Sequence, residues 1–392
     1  MLGIVFWVSA ALVFYVYAGY PTLIFLFARL RKSVNHLIDF EPKVTLLFAA
    51  YNEEKVIGEK IKNCLAIEYP RERLQILVAD DGSTDRTVEI VKSFGSEHVD
   101  LVCNSPRRGK LFTLNDAMRE ARGEIVLFSD ADNFYPPNAL SETMKYFSDP
   151  SIGAVSGGRN VIGSNALGNA ESLYWKYEEF IKKQESRLGN CVGVAGDLLA
   201  IRRNLYVTPP PSIINDDFYI ALSIIKQGYR VVYAPEARSY HPVAESELGE
   251  IERRTRMVAG RYQTIFSAWN MLPFSKPAVV WQIISHKYLR PLVPFAMIFM
   301  LLANVVALSW GSKLSGPPLL VLQVPYNWVL FFMQLAFYFL AWLGGNHKFR
   351  GVFGEILYLP TFLVNSNIAA LRGFYRYMTS KQSVMWKKVV SS

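Results

Sequence analysis

The sequence is short of cysteine and of charge. Its 392 residues include three cysteines, Cys64, Cys103 and Cys191, which stand far apart with no CxxC or Cys/His pairing. Neither a zinc site nor a disulfide framework is indicated, and the usage fits a reducing, cytosolic setting. Charged residues make up only 19% of the chain against 51% hydrophobic, and low-complexity tracts are absent. That balance excludes a disordered chain. A mean hydropathy of +0.15 is also unusual for a soluble enzyme. Whole stretches lack charge: residues 2–28 carry none, and residues 291–312 and 314–347 hold no Asp, Glu, Lys or Arg.

Each charge-free stretch is long enough to cross a hydrocarbon layer of about 30 Å, a stronger reading than buried core helices of a soluble domain. The first is followed at once by Arg29, Arg31 and Lys32. Basic residues behind the apolar run favour an uncleaved anchor over a signal peptide. They place the amino terminus outside and the chain from residue 29 onward in the cytoplasm. Residues 352–371 contain Glu355, Pro360, Asn365 and Asn367. A crossing there would put the tail with Arg372, Arg376, Lys381, Lys387 and Lys388 outside, against the charge rule, so a re-entrant or interfacial segment is expected. The expected organisation is an anchor over 1–32, a water-soluble domain over 41–270, and an interfacial and transmembrane region with a basic tail over 271–392. The net charge of +9 comes with no helix-turn-helix, finger or RNP pattern, so nucleic acid is not an expected partner. Anionic membrane lipids and a polyphosphate substrate account for it.

Between residues 43 and 235, short apolar runs alternate with helix-period patterns, the signature of an α/β fold with a mostly parallel, Rossmann-like sheet. Strands are expected at 44–49, 74–79, 101–102 and 125–128. Helices are expected at 54–65, at 85–94 behind an N-cap at Ser83, and at 111–121. Ligands of such sheets bind beyond the carboxyl ends of the strands. The polar residues gather there: Asn52-Glu53-Glu54, Asp80-Asp81-Gly82-Ser83, Arg107-Arg108-Gly109-Lys110 and Asp130-Ala131-Asp132.

Asp130 and Asp132, spaced i, i+2 after an extended run, project two carboxylates to one side. With open positions completed by water and phosphate, they suit Mg²⁺ or Mn²⁺ bridging a diphosphate. Asp80 and Asp81 read either as turn residues or as acceptors for a ribose or nucleobase NH. Lys110 and Arg108 read either as phosphate neighbours or as solvated charges. Asp216 and Asp217 precede a helical pattern, where they complement the helix dipole or supply a general base. Arg253, Arg254 and Arg256 match phosphate oxygens or a positive-inside cluster.

Five ordered segments now resemble one family: AAYNEEKVIGEKI, VADDGSTDRT, RRGKLFTLNDAM with GEIVLFSDADNFYPPNAL, GVAGDLLAIRR, and NDDFYIALSIIKQGYRVVYAP. From about residue 44 to 263 the chain is similar to family 2 glycosyltransferases with a GT-A fold. With its flanking spans it looks like the membrane-embedded synthases of cellulose, hyaluronan, chitin and poly-N-acetylglucosamine. The resemblance implies inverting transfer from a nucleotide sugar, most often a UDP-sugar, to a carbohydrate or lipid-linked acceptor. It implies that Glu53 and Asp81 contact the nucleoside, that Asp130 reaches the ribose side, and that Asp132 ligates the metal. Asp217 matches the aspartate of the TED motif, the base, here within Asn215-Asp216-Asp217. Gly196 and Asp197 would line the acceptor end. The QxxRW motif is replaced by Arg253-Arg254-Thr255-Arg256-Met257, which keeps the arginine at 256 and puts methionine where processive synthases have tryptophan. Trp386 in the tail is an aromatic platform from elsewhere or an interfacial anchor.

Three functions remain in competition at this level. The first is polysaccharide elongation, with export through the helices. The second is single-sugar transfer to a polyprenyl phosphate or other lipid. The third is an inactive membrane scaffold, disfavoured because Asp130, Asp132 and Asp217 are expected to stand together uncompensated, an arrangement without purpose unless they work.

Overall fold

The computed structural model describes residues 1–31, 37–162, 166–242, 247–267, 269–310, 316–346 and 351–381. Trp386, Lys387 and Lys388 lie outside the described residues. Among the described residues seven strands form one sheet: β1 Val44–Ala50, β2 Leu74–Asp80, β3 Asp100–Cys103, β4 Ile125–Ser129, β5 Ile152–Ile162, β6 Leu199–Arg202 and β7 Arg230–Pro242, in the order β3-β2-β1-β4-β6-β5-β7. The first four are mutually parallel, β6 runs antiparallel to β4 and β5, and β5 and β7 are parallel. The mostly parallel sheet is as expected.

Alternation along β1 assigns its side chains to two cores. Leu46 and Phe48 join Ile57, Ile61, Ile76 and Val78 on one face. Leu47 joins Leu77, Val126, Leu114 and Phe218 on the other. A strand buried on both faces must be apolar throughout, which is why VTLLFAA reads as an unbroken run. Each leucine removed from water there contributes about 1.5–3 kcal/mol. The chain leaves β1 toward β2 on one side and returns to β4 on the other, so the topological switch point lies between β1 and β4. A crevice is expected there.

Among the described residues three helices are long and apolar enough to cross a membrane: Leu2–Arg29, Pro277–Ser309 and Tyr326–Asn346. Phe299, Leu302, Phe332 and Trp342 on them are more than half exposed, as lipid-facing side chains should be. By this measure the protein is a membrane protein. The second of these helices begins well before residue 291, and its first half packs on the sheet, with Val279, Ile283 and Tyr288 sharing the core of Leu47 and Phe218.

A buried polar network fixes that junction. Tyr20 Oη donates to Glu185 Oε1 at 2.6 Å, and His286 Nδ1 meets the same oxygen at 2.7 Å. His286 Nε2 lies 3.1 Å from Glu178 Oε2, and Arg290 Nη1 donates to Glu178 Oε1. Glu185 Oε2 in turn accepts the backbone N–H of Val192 at 3.0 Å.

The segment expected to be re-entrant or interfacial is one continuous helix, Gly351–Met378, with Pro360 inside it, and it does not double back. It is not among the three candidate spans. It bridges two helices instead. Thr361 Oγ1 donates to Ala341 O at 2.7 Å, while Arg376 forks onto Glu252 at 2.5 and 2.7 Å.

Candidate active site

On the wall of the crevice built from the carboxyl ends of β1, β2 and β4 the charges are tightly held. Asp80 Oδ2 accepts the N–H groups of Gly82 and Ser83 at 3.0 Å each, and its Oδ1 is buried without a partner. Gly82 has φ +75°, a conformation that disfavours side chains. Ser83 does not cap the following helix as expected. Its Oγ accepts Asn52 N at 2.9 Å, and Asp85 Oδ1 accepts Thr87 N instead. Asp81 is buried and accepts from Arg108 N, Gly109 N and Thr113 Oγ1, each at 2.9 Å. One carboxylate thus organises the loop that presents Lys110. Lys110 Nζ donates to Asp130 at 2.5 Å. Burial would push the Asp130 carboxyl up, but the Lys110 cation outweighs it and holds Asp130 low.

The turn carrying Asp130 and Asp132 is fixed from beneath. Fully buried Lys60 donates to Ser129 Oγ at 2.8 Å, Asn133 O at 2.6 Å and Asn133 Oδ1 at 2.8 Å. Burial pulls the Lys60 ammonium down from its usual range. Asp132 itself is exposed and has no hydrogen bond or ion pair among the described residues.

The opposite wall comes from the helix Asp216–Lys226 and the helix Glu247–Ser267. These two are clamped together: Ile214 N donates to Gln263 Oε1 at 3.0 Å, and Asn215 Nδ2 donates to Met257 O at 3.0 Å. A methyl on Gly260 would fall 2.6 Å from the Asn215 side chain, so the close approach requires glycine there. Asp217 Oδ1 accepts its neighbour Phe218 N at 2.7 Å. Burial, reinforced by the adjacent Asp216 charge, pushes the Asp217 carboxyl up to about 6. A methyl built on Gly196 would lie 3.8 Å from Asp217 Oδ2. Asp197 is buried and holds His241 Nε2 at 2.7 Å and Ser239 Oγ at 2.8 Å. Burial opposes its ionisation, yet His241 holds it well below the usual carboxylate range.

Asp132 and Asp217 line one crevice of about 320 Å³, together with Glu53, Asp81, Lys110, Asp130, Gly196, Asp197, Asp216, Arg253 and Arg256. Arg253, Arg256, Met257 and Arg261 reach it because positions three and four apart share a helix face. Asp80, Arg108 and Arg254 are not part of its lining, and Arg108 reaches Asp116 at 3.4 Å instead. Asp80 is turned into its own turn. Arg254 donates to Ser366 Oγ at 2.9 Å and lines a separate cavity. The three carboxylates are also not all uncompensated, because Asp130 is paired with Lys110.

Sequence reasoning missed His241, Lys287 and Lys60. His241 lies near the end of β7, where the polar Arg238 and Ser239 hide the strand pattern. Lys60 sits inside an otherwise ordinary helix, Ile57–Leu65, with only its place on the apolar stripe as a signal. Lys287 belongs to a candidate span and faces the crevice, above the Phe218 ring at 5.7 Å.

An acidic crevice at the switch point of a mixed α/β sheet, joined to membrane-length helices, defines a membrane-attached domain of the GT-A type. Residues 45–207 match the family model "Glycosyl transferase family 2". It is similar to the poly-beta-1,6-N-acetyl-D-glucosamine synthase of Staphylococcus aureus (strain COL), 27% identical over 60% of this chain and 58% of that protein. The synthase of the same name from Staphylococcus epidermidis is 26% identical over 59% and 58%. The chain thus spans under two thirds of the length of these curated relatives. A solved mannosyltransferase from Pyrobaculum calidifontis, in complex with GDP-Man and Mn2+, shares the fold with a TM-score of 0.71 at 23% identity, covering 97% of this chain and 100% of its own.

Proposed function

We propose that this protein transfers a sugar, with inversion, from a nucleotide sugar, most consistently a UDP-sugar, to a growing polysaccharide at the cytoplasmic face of the membrane. The observation that carries the reading is the shared crevice of Asp132 and Asp217, with Lys110 on one wall and Arg256 on the other. The similarity to poly-N-acetylglucosamine synthases supports the polymeric product.

In this reading the acceptor hydroxyl oxygen bonds to the anomeric carbon as the bond from that carbon to the diphosphate breaks. Asp217 takes the hydroxyl proton, and the nucleoside diphosphate departs with the electron pair. A carboxyl raised to about 6 is suited to the task, being ionised at neutral pH yet basic enough to accept a proton. Lys110 and Arg256 face the leaving diphosphate. Glu53 and the Asp81-organised loop hold the nucleoside end.

The donor set fits a hard divalent ion. Asp132 is exposed and unpaired, and no group of three or more His, Cys, Asp or Glu that could hold a metal occurs among the described residues. Mg²⁺ or Mn²⁺ accepts so few protein ligands when phosphate and water complete its shell. Asp132 would hold it with help from Asp130, and when bound it supplies Lewis-acid stabilisation of the departing diphosphate.

The test is nucleoside diphosphate release by the purified full-length protein in nanodiscs, across UDP- and GDP-sugars, with Mg²⁺, Mn²⁺ or EDTA. Release confined to one donor, lost in EDTA and accompanied by a product ladder is expected. No release from any donor would end the proposal, and a single lipid-linked sugar would replace the polymeric product.

A further inference from the structure

Two cations in the crevice have no counterion. Arg159 on β5 and Lys182 on the helix Ala166–Leu188 both line it. Both stand against one indole, with Arg159 Cζ 5.3 Å and Lys182 Nζ 5.7 Å from the centre of the Trp175 ring. Neither makes a hydrogen bond or ion pair among the described residues. We infer that this pair receives the carboxylate of an acidic sugar, so that the acceptor carries a uronic acid. The assignment rests on the transfer reading above and names the class of acceptor sugar for that site.

The cost of the arrangement is what calls for an anion. Lys182 is only 3% exposed, and Arg159 Nε is buried without a partner. A buried charge is expensive unless an opposite charge meets it, and two like charges against one ring repel each other as well. Aromatic faces offset part of this, since Lys182 Nζ also lies 5.5 Å from the centre of the Tyr233 ring. They give the ammonium and the guanidinium no oxygen to bond.

The acids nearby are already engaged. Glu178, one turn before Lys182 on the same helix, gives one oxygen to His286 and the other to Arg290. Glu179 pairs with Arg238 at 2.5 Å. Asp197 is close enough to feel the Arg159 charge, yet its bonds go to His241 and Ser239. The two cations are left for a group that arrives with the substrate.

Their place in the crevice selects that group. A methyl on Gly193 would fall 3.1 Å from Lys182 Cγ, and three residues further on Gly196 abuts Asp217. Three extended residues reach about 10 Å, so whatever Lys182 holds belongs to the sugar whose hydroxyl Asp217 deprotonates or to its neighbour in the chain. The departing diphosphate is met by Lys110 and Arg256 instead. A guanidinium with both terminal nitrogens unbonded, beside a single ammonium, suits a planar group with two oxygens, which is a carboxylate.

The experiment compares methyl β-D-glucuronide with methyl β-D-glucoside on the full-length protein in nanodiscs, titrated by saturation-transfer NMR without any donor present. The glucuronide is expected to bind at least about tenfold more tightly, the worth of one charged hydrogen bond. Lys182→Met and Arg159→Gln should each cut that preference to less than about twofold; the wild-type comparison stands even if a variant misfolds. Equal affinity for the two glycosides overturns the inference, as does a preference that survives both substitutions in folded protein. Tighter binding of methyl β-D-glucoside 6-phosphate overturns it too, because the cations would then form a phosphate site. Displacement of the glucuronide by UDP assigns them to the donor diphosphate, and displacement by UDP-glucuronate but not by UDP or UDP-glucose gives the carboxylate to the donor; either result overturns the acceptor assignment. Nucleoside diphosphate release is measured on the same preparation. Release without a glucuronide preference removes this inference alone, whereas a glucuronide preference without release from any donor removes the transfer reading and leaves the site.

Discussion

The two walls of the crevice are built on opposite terms. On the wall at the carboxyl ends of the parallel strands nearly every charge is engaged: Asp81 accepts three hydrogen bonds from residues 108–113, Lys110 grips Asp130, and Lys60 ties Ser129 and Asn133. On the facing wall Arg256, Arg261 and Lys287 make no hydrogen bond or ion pair among the described residues, and Asp217 is held only by its neighbour's N–H. A saturated wall presents one fixed shape. An unsaturated wall keeps its charges in reserve for groups that arrive and change during a reaction. The Lys110–Asp130 pair also alters the case against an inactive scaffold, which now rests on Asp132 and Asp217 rather than on three repelling carboxylates.

The contrast breaks most sharply at Asp217. Asp217→Asn should lower turnover at least about 100-fold, the contribution of a general base, with nucleotide binding by calorimetry retained. The same variant separates function from stability. Because the folded pKa lies above the ordinary 3.8, the wild-type carboxyl stabilises the fold while protonated and loses that contribution as pH rises through about 6. Asparagine should therefore leave the thermal midpoint above pH 6 unchanged or higher.

In the wild type the sign for activity is opposite. Below about pH 6 the base is protonated, so kcat/KM should fall close to tenfold per pH unit, and above it a plateau should appear. A flat profile from pH 5 to 8 would remove Asp217 as the base.

The saturated wall should answer with stability instead. Lys60→Met leaves Ser129 Oγ, Asn133 O and Asn133 Oδ1 without their buried donor and should cost about 1–3 kcal/mol in denaturant unfolding. Gly260→Ala forces a carbon within 2.6 Å of Asn215 and should lower turnover with a smaller loss of stability, since the strain falls on the Asp216–Asp217 turn. Arg86→Ala, which removes an exposed i,i+3 pair with Glu89, should produce no resolvable change in either measurement.

The same contrast explains what could be read from sequence. β1, β2 and β4 are largely buried apolar runs and β3 holds a short apolar pair, and the expected limits of all four fall within a residue of those observed. β5 gave no such signal, because Gly157 must be bare where Ala237 O and Leu198 approach within 2.7 Å of a would-be methyl, and Ser156 is buried beside it. The helix 85–94 was legible but its cap was not, since Ser83 is drawn across the chain to Asn52 N. Motif residues such as Asp132 and Asp217 stood out because acidic side chains after strands or before helices are conspicuous. Lys287 and His241 were not legible. They depend on helices distant in sequence meeting in space, which no local pattern encodes.

The bond between Tyr20 and Glu185, with His286 on the same oxygen, has a practical consequence for anyone who would shorten this chain. A version cut to residues 41–270 would keep Glu178 and Glu185 while discarding Tyr20, His286 and Arg290. Two acids would then be stranded in the interior, directly beneath the loop that Glu185 anchors through Val192. These contacts join the sheet to its membrane-length helices, so a trimmed, detergent-free version would have to be redesigned at this joint before it could hold its shape.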